Sequence, residues 1–277
     1  MLISRQMKNQ LLTDENYNNY NSSEDIPDIY HKVNEDIPFS SESALEKTAV
    51  ICKYLAKHVK GGPGLGTSSG RALKIMLEGN YGVCSDISQV FNNFCILNDI
   101  KVREWGVVDK FYKESYGHSF NEIFSEELDK WIAVDPSKCL FFYDPKNETP
   151  LSAEELFTRG RQKLPLKYEC FGENVDIDDP YIRAIYFSPK AIPFMLYNYK
   201  IKTIDTVLDK FPKFPNFLIS TLLIMLRKHF RYMMLFNDHK RLWNPKTQIV
   251  TQGNTITEEK ASEPGVETSS KSYKLSN

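Results

Sequence analysis

The sequence lacks several features that would point directly to a function. Its 277 residues include five cysteines, at 52, 84, 95, 139 and 170, and no two form a C-x-x-C pair. This count and spacing suit neither a disulfide framework nor a zinc ribbon, so the expectation is reduced thiols in a reducing compartment. No charge of one sign dominates, since 35 basic residues face 36 acidic ones. The chain therefore has no global electrostatic footprint for nucleic acid. The longest apolar run, Phe217 to Leu226, stops at Arg227 and Lys228. It is about half the roughly 20 residues that a spanning helix needs. Met1 to Leu12 has no apolar stretch of the secretory kind, and no internal repeat is visible. The expected setting is cytoplasmic, with a membrane-peripheral location kept open.

What is present is core material. Hydrophobic residues make up 41% of the chain, with 17 Phe and 15 Tyr, enough for one large domain or two small ones. Charge is unevenly placed. Residues 1–48 carry nine acids against four bases, and residues 190–246 carry eleven bases against three acids. The sequence divides into an irregular acidic arm (1–42), a core (43–188), a basic and mostly helical extension (189–246) and a tail (247–277) rich in Thr, Ser, Glu and Lys, which suits disorder.

Apolar periodicity places the elements of the core. Ser43 to Val59 suits an amphipathic helix. Gly61 to Gly70 breaks the chain, and Arg71 to Leu77 forms a short helix. The glycine run has the length of a phosphate loop but lacks its Lys and a preceding strand, so a flexible interhelical loop is expected. Cys84 to Leu97 is the clearest helix, with apolar residues at 84, 87, 90, 91, 94 and 95 on one stripe. Three strand-like runs follow: Val102–Val108, His118–Phe124 and Trp131–Asp135. Helices before strands indicate an α+β fold.

The chemistry centres on Cys84. It opens a helix, where partial positive charge favours a thiolate over a thiol. Gly82 permits a sharp approach, and Asp86 can reach first-turn N–H groups. Cys95 returns to the same helix face about 16 Å further along, too far for a disulfide with Cys84, and reads as core. His118 opens one strand and Asp135 closes the next, as in an antiparallel hairpin. A register pairing His118 with Asp135, Phe120 with Ala133 and Glu122 with Trp131 would let the carboxylate orient the imidazole. A one-residue slip would separate them onto opposite faces. Singly, each residue has a structural explanation: a buried thiol, a hydrogen-bonded histidine, a turn aspartate before Pro136. Jointly they are the set that a thiol nucleophile uses.

Three blocks carry a family resemblance. Gly82-Val83-Cys84-Ser85-Asp86 opens a helix, and Ile100-Lys101-Val102-Arg103 leads into the next strand. His118-Ser119-Phe120-Asn121-Glu122 and Trp131-Ile132-Ala133-Val134-Asp135-Pro136 follow in order. Together they resemble the core of the transglutaminase-like superfamily, a circularly rearranged relative of papain-like enzymes, over about 65 residues. The resemblance implies a helix bearing the cysteine packed on an antiparallel sheet bearing His and Asp. It implies Cys84 as nucleophile, His118 as general base and acid, and Asp135 as orienting carboxylate. It further implies a thioester intermediate resolved by water or by an amine. Asn80 or Tyr81 would assist an oxyanion beside the Cys84 N–H. The paired C-x-x-C zinc sites of peptide N-glycanases are missing, and no calcium loop like that of animal transglutaminases is evident. Asp176-Ile177-Asp178-Asp179 reads as a solvated loop. Neither metal nor cofactor is expected.

The leading functional expectation is therefore a cysteine-dependent amide hydrolase or acyltransferase acting on a peptide or amide substrate. The alternative is an inactive module of the same fold that binds a peptide or protein. Asn216 to His239 reads as a long helix, apolar on more than one face. Such a helix packs on the core, or residues 213–246 present a membrane or partner surface.

Overall fold

The computed structural model describes residues 12–59, 61–79, 81–108, 117–197, 200–211, 231–236 and 238. Four helices come first: α1 (Asp28–Glu35), α2 (Ala44–His58), α3 (Ser69–Gly79) and α4 (Cys84–Leu97). The strands β1 (Val102–Val108), β2 (Gly117–Ser125), β3 (Lys130–Asp135), β4 (Leu140–Asp144) and β5 (Thr149–Pro150) follow. The remainder is α5 (Ala153–Arg161), β6 (Lys167–Cys170), α6 (Asp179–Tyr186), β7 (Ile192–Tyr197), α7 (Ile201–Lys210) and β8 (Arg231–Met234). All strands join one sheet in the order β5-β4-β3-β2-β1-β7-β8, with β6 also on β4, and every pairing is antiparallel. The architecture is α+β.

The period of two along the strands sorts the core into two layers. Ile123, Ile132, Val134 and Phe141 face one way and pack with Ile51, Leu55, Val90, Phe91 and Phe94 of α2 and α4. Trp105, Phe120, Ala133, Leu140 and Phe142 face the other way and pack with Leu156, Phe157, Ile182 and Tyr186 of α5 and α6. Local signals set the helix starts on the second side. Ser152 and Glu155 exchange hydrogen bonds as a capping box at α5, and Asp178 caps α6 through the Tyr181 N–H at 3.1 Å.

Three expectations need correction. The arm over 1–42 is not wholly irregular, since its described part contains α1. Ile26, Tyr30, Val33 and Ile37 are all buried and form a helical stripe over α1 and its flanks, with Tyr30 edge-on to Phe94. Among its described residues the extension from 189 holds strands as well as the helix α7. Strand β7 pairs with β1 and β8 pairs with β7, because β1 would otherwise leave a row of backbone donors and acceptors unpaired at its edge. The helix expected over 216–239 is a strand at Arg231–Met234. Its other residues, and the tail from 247, lie outside the described residues apart from 235, 236 and 238. The acidic run at 176–179 is a solvated loop as far as Asp178, which is the N-cap of α6, and Asp179 in the first turn holds the Tyr168 hydroxyl at 2.7 Å. Among the described residues, no helix is long and apolar enough to cross a membrane.

Candidate active site

Cys84 is the first residue of α4, after an extended Val83 N-cap. The turn into the helix depends on Gly82. Its φ is +131°, and a Cβ there would lie 2.5 Å from the Met76 Cε, so a side chain would be both strained and crowded. Asp86 accepts from the Val83 N–H at 3.0 Å and the Leu65 N–H at 3.1 Å. The carboxylate thereby ties the glycine-rich segment to the helix start. The Cys84 side chain is partly exposed, unlike Cys52, Cys95 and Cys139. Burial pushes its pKa up, but the His118 hydrogen bond and charge and the Ser119 N–H outweigh this, and the thiol lies below its ordinary value.

His118 is buried at the start of β2. Its Nε2 lies 2.8 Å from Asp135 Oδ2, which leaves Nδ1 for the thiol. Burial alone would lower its pKa. The Asp135 charge and hydrogen bond, then Cys84, raise it instead, to about 10. Asp135 is fully buried. Burial pushes its carboxyl up, but His118, Ser137 and Tyr186 bring it below the usual range. Five donors surround it. Oδ2 takes His118 and the Tyr186 hydroxyl at 2.9 Å. Oδ1 takes the Ser137 N–H at 2.9 Å, the Ser137 hydroxyl at 2.7 Å and the Lys138 N–H at 3.2 Å. The Asp-Pro-Ser turn thus caps its own carboxylate.

The structure brings Cys84, His118 and Asp135 together, but by a different register from the one expected. Glu122 faces Ala133 and Phe124 faces Trp131, a shift of two residues. A shift of two keeps the face, whereas a shift of one reverses it. His118 and Asp135 therefore meet as diagonal neighbours, and the length of the imidazole closes the gap. Asn80 lies outside the described residues. Tyr81 is 49% exposed, and its ring lies against Gly62 and Gly79.

Two residues absent from the sequence expectation border the imidazole. Tyr181 and Tyr186 of α6 meet the His118 ring edge-on, at centroid distances of 5.9 and 5.8 Å. The Tyr181 hydroxyl lies 3.3 Å from Nδ1. The available signal was Asp178-Asp179-Pro180, an N-cap followed by Pro at a first-turn position, which announces a helix. The remaining block residues, Arg103, Glu122 and Trp131, form a separate buried cluster. Arg103 pairs with Glu122 at 3.1 Å and stacks 3.6 Å above the Trp131 ring. A cavity of about 320 Å³ borders this cluster and touches no member of the triad. Among the described residues, no group of acidic, His or Cys side chains is arranged to hold a metal.

This is an α+β protein with a thiol, an imidazole and a carboxylate in hydrogen-bonded series. No family model matches the chain, and no curated protein matches it. Among solved structures it is similar to one from Cytophaga hutchinsonii described as a candidate cysteine protease. The two are 16% identical with a TM-score of 0.33, and the match covers 63% of each chain.

Proposed function

We propose that the chain is a cysteine-dependent hydrolase or acyltransferase with a transglutaminase-like, papain-like core. Cys84 serves as nucleophile, His118 as acid and base, and Asp135 as the orienting carboxylate. The observation that carries this reading is the 2.8 Å bond between the buried Asp135 and His118 Nε2, with the partly exposed Cys84 at the other nitrogen. That polarity suits a thiolate–imidazolium pair at neutral pH. The thiolate attacks an amide or ester carbonyl, and an S–C bond forms. As the leaving group departs, the Nδ1 proton passes to it, leaving an acyl-thioester and a neutral imidazole. Water or an amine, deprotonated by Nδ1, then releases the acyl group. The oxyanion would draw on the Cys84 N–H at the α4 terminus. The substrate in this reading is a peptide or another amide-bearing molecule.

The test is the rate of Cys84 alkylation by iodoacetamide against pH, read peptide by peptide, with the other four cysteines as internal references. The expected result is reaction well below the ordinary thiol pKa of about 8.5, with that advantage lost in His118→Ala. A Cys84 no more reactive than partly exposed Cys170 would replace this reading with that of an inactive binding module.

A further inference from the structure

The triad accounts for one side of the imidazole and leaves the Tyr181 hydroxyl unexplained. Its position is built in. Asp178 holds the Tyr181 N–H at 3.1 Å, Pro180 stiffens the first turn of α6, and the ring stands at 86° to the imidazole. The hydroxyl lies 3.3 Å from Nδ1, the nitrogen that the proposed chemistry uses to protonate the leaving group. Resting on that reading, we propose that Tyr181 is a positioning residue for proton delivery from His118 to the leaving atom.

The reasoning follows the proton. In the resting pair, Nδ1–H is shared between the Cys84 thiolate and the Tyr181 oxygen, a hydroxyl being both acceptor and donor. When the thiolate bonds to carbon, it no longer holds that proton. The Tyr181 oxygen remains, and keeps the imidazolium from turning about its Asp135 contact while the carbon–leaving-group bond breaks. Once Nδ1 has given up its proton, the Tyr181 O–H can rotate and donate to the vacated lone pair. No proton leaves the tyrosine. The hydroxyl therefore acts only in steps where the leaving atom must be protonated. Its removal leaves untouched any reaction whose leaving group departs as a stable anion.

The experiment compares wild type with Tyr181→Phe, which keeps the ring and removes the oxygen. Three probes are used: iodoacetamide and p-nitrophenyl acetate, whose iodide and phenolate leave unprotonated, and trifluoroethyl acetate, whose alkoxide needs a proton. Cys84 modification is followed by intact mass, and thermal melting monitors the fold. The expected result is rates within about twofold for the first two probes and about a tenfold loss for the alkyl ester, the worth of one hydrogen bond. Asp178→Ala, which frees the anchor of Tyr181, should show the same selectivity more weakly. Equal losses for all three probes, or no loss for the alkyl ester, would overturn the assignment while the proposed function stands. A wild-type Cys84 inert to all three would overturn both.

Discussion

Strand β2 carries two buried ion pairs on one face, four residues apart, and they differ instructively. His118 pairs with Asp135, and Glu122 pairs with Arg103. All four side chains are buried, so neither burial nor charge pairing separates them. What differs is the protons. Arg103 sends its guanidinium N–H groups to Glu122, to the Asn16 carbonyl at 2.7 Å and to the Thr13 carbonyl at 2.6 Å. Glu122 also takes the Trp105 indole at 3.1 Å and the Ala153 N–H at 2.7 Å. Every partner is fixed protein, and a guanidinium does not give up its proton. The other pair ends on a partly exposed thiol through a ring that, unlike a guanidinium, can give up its proton. The first pair locks the arm to the sheet, and the second leads out to a partly exposed thiol.

Mutations can break this contrast. Cys84→Ala should abolish acylation, a loss on the order of 10⁶ if the triad acts as a unit, with an unchanged melting temperature. Asp135→Asn should reduce turnover about 10⁴-fold by favouring the wrong tautomer. Its stability loss should be smaller than that of the next variant, since His118 can shed its charge. Arg103→Met leaves Glu122 buried without its cation and should destabilise by about 3–5 kcal/mol in urea unfolding. Cys84 alkylation in the folded fraction should stay at the wild-type rate. A large alkylation defect there would dissolve the distinction between the pairs.

The pH response sharpens it further. The raised His118 pKa contributes stability that is fully present below its unfolded value of about 6.5 and fades as pH climbs through about 10. Asp135 behaves oppositely, with stability present above its unfolded value of about 3.9 and lost as pH falls. Acylation by substrates whose leaving group needs a proton should therefore fall through about pH 10, while iodoacetamide alkylation should persist there. The smallest effect expected is that of Trp131→Phe. It keeps a ring beneath Arg103 but loses the 3.0 Å bond to Asp14 and part of the ring contact with Tyr17 and Phe124, about 1–2 kcal/mol by thermal melting.

Strong periodicity made part of this legible in the sequence. Helices α2 and α4 and strands β1 to β3 follow from one-face or alternating patterns, and the three triad positions follow from the ends of those elements. The register did not, because alternation fixes the face but is blind to a shift of two. Helix α1 was hidden by dilution, its buried Tyr30 and Val33 standing among Asp, His, Lys and Asn. Strands β7 and β8 were hidden by the opposite problem. Met233 and Met234 sit in an apolar run with no polar face to give a period, and a proline such as Pro193 argues against a strand interior. Tyr181 and Tyr186 belong to the site through tertiary packing alone, although the cap that places them was written in the chain.

The clamp on the arm has a consequence for the order of events during synthesis. Residues 13 to 21 are held by partners that emerge much later: Arg103, the Val102 carbonyl, Trp131 and the Ile201 N–H. At about 5–20 residues per second, at least several seconds separate the making of Asn21 from that of Ile201. Until Val102 to Trp131 have been made the segment has no surface on which to settle, and its last anchor, at Asn21, waits for Ile201.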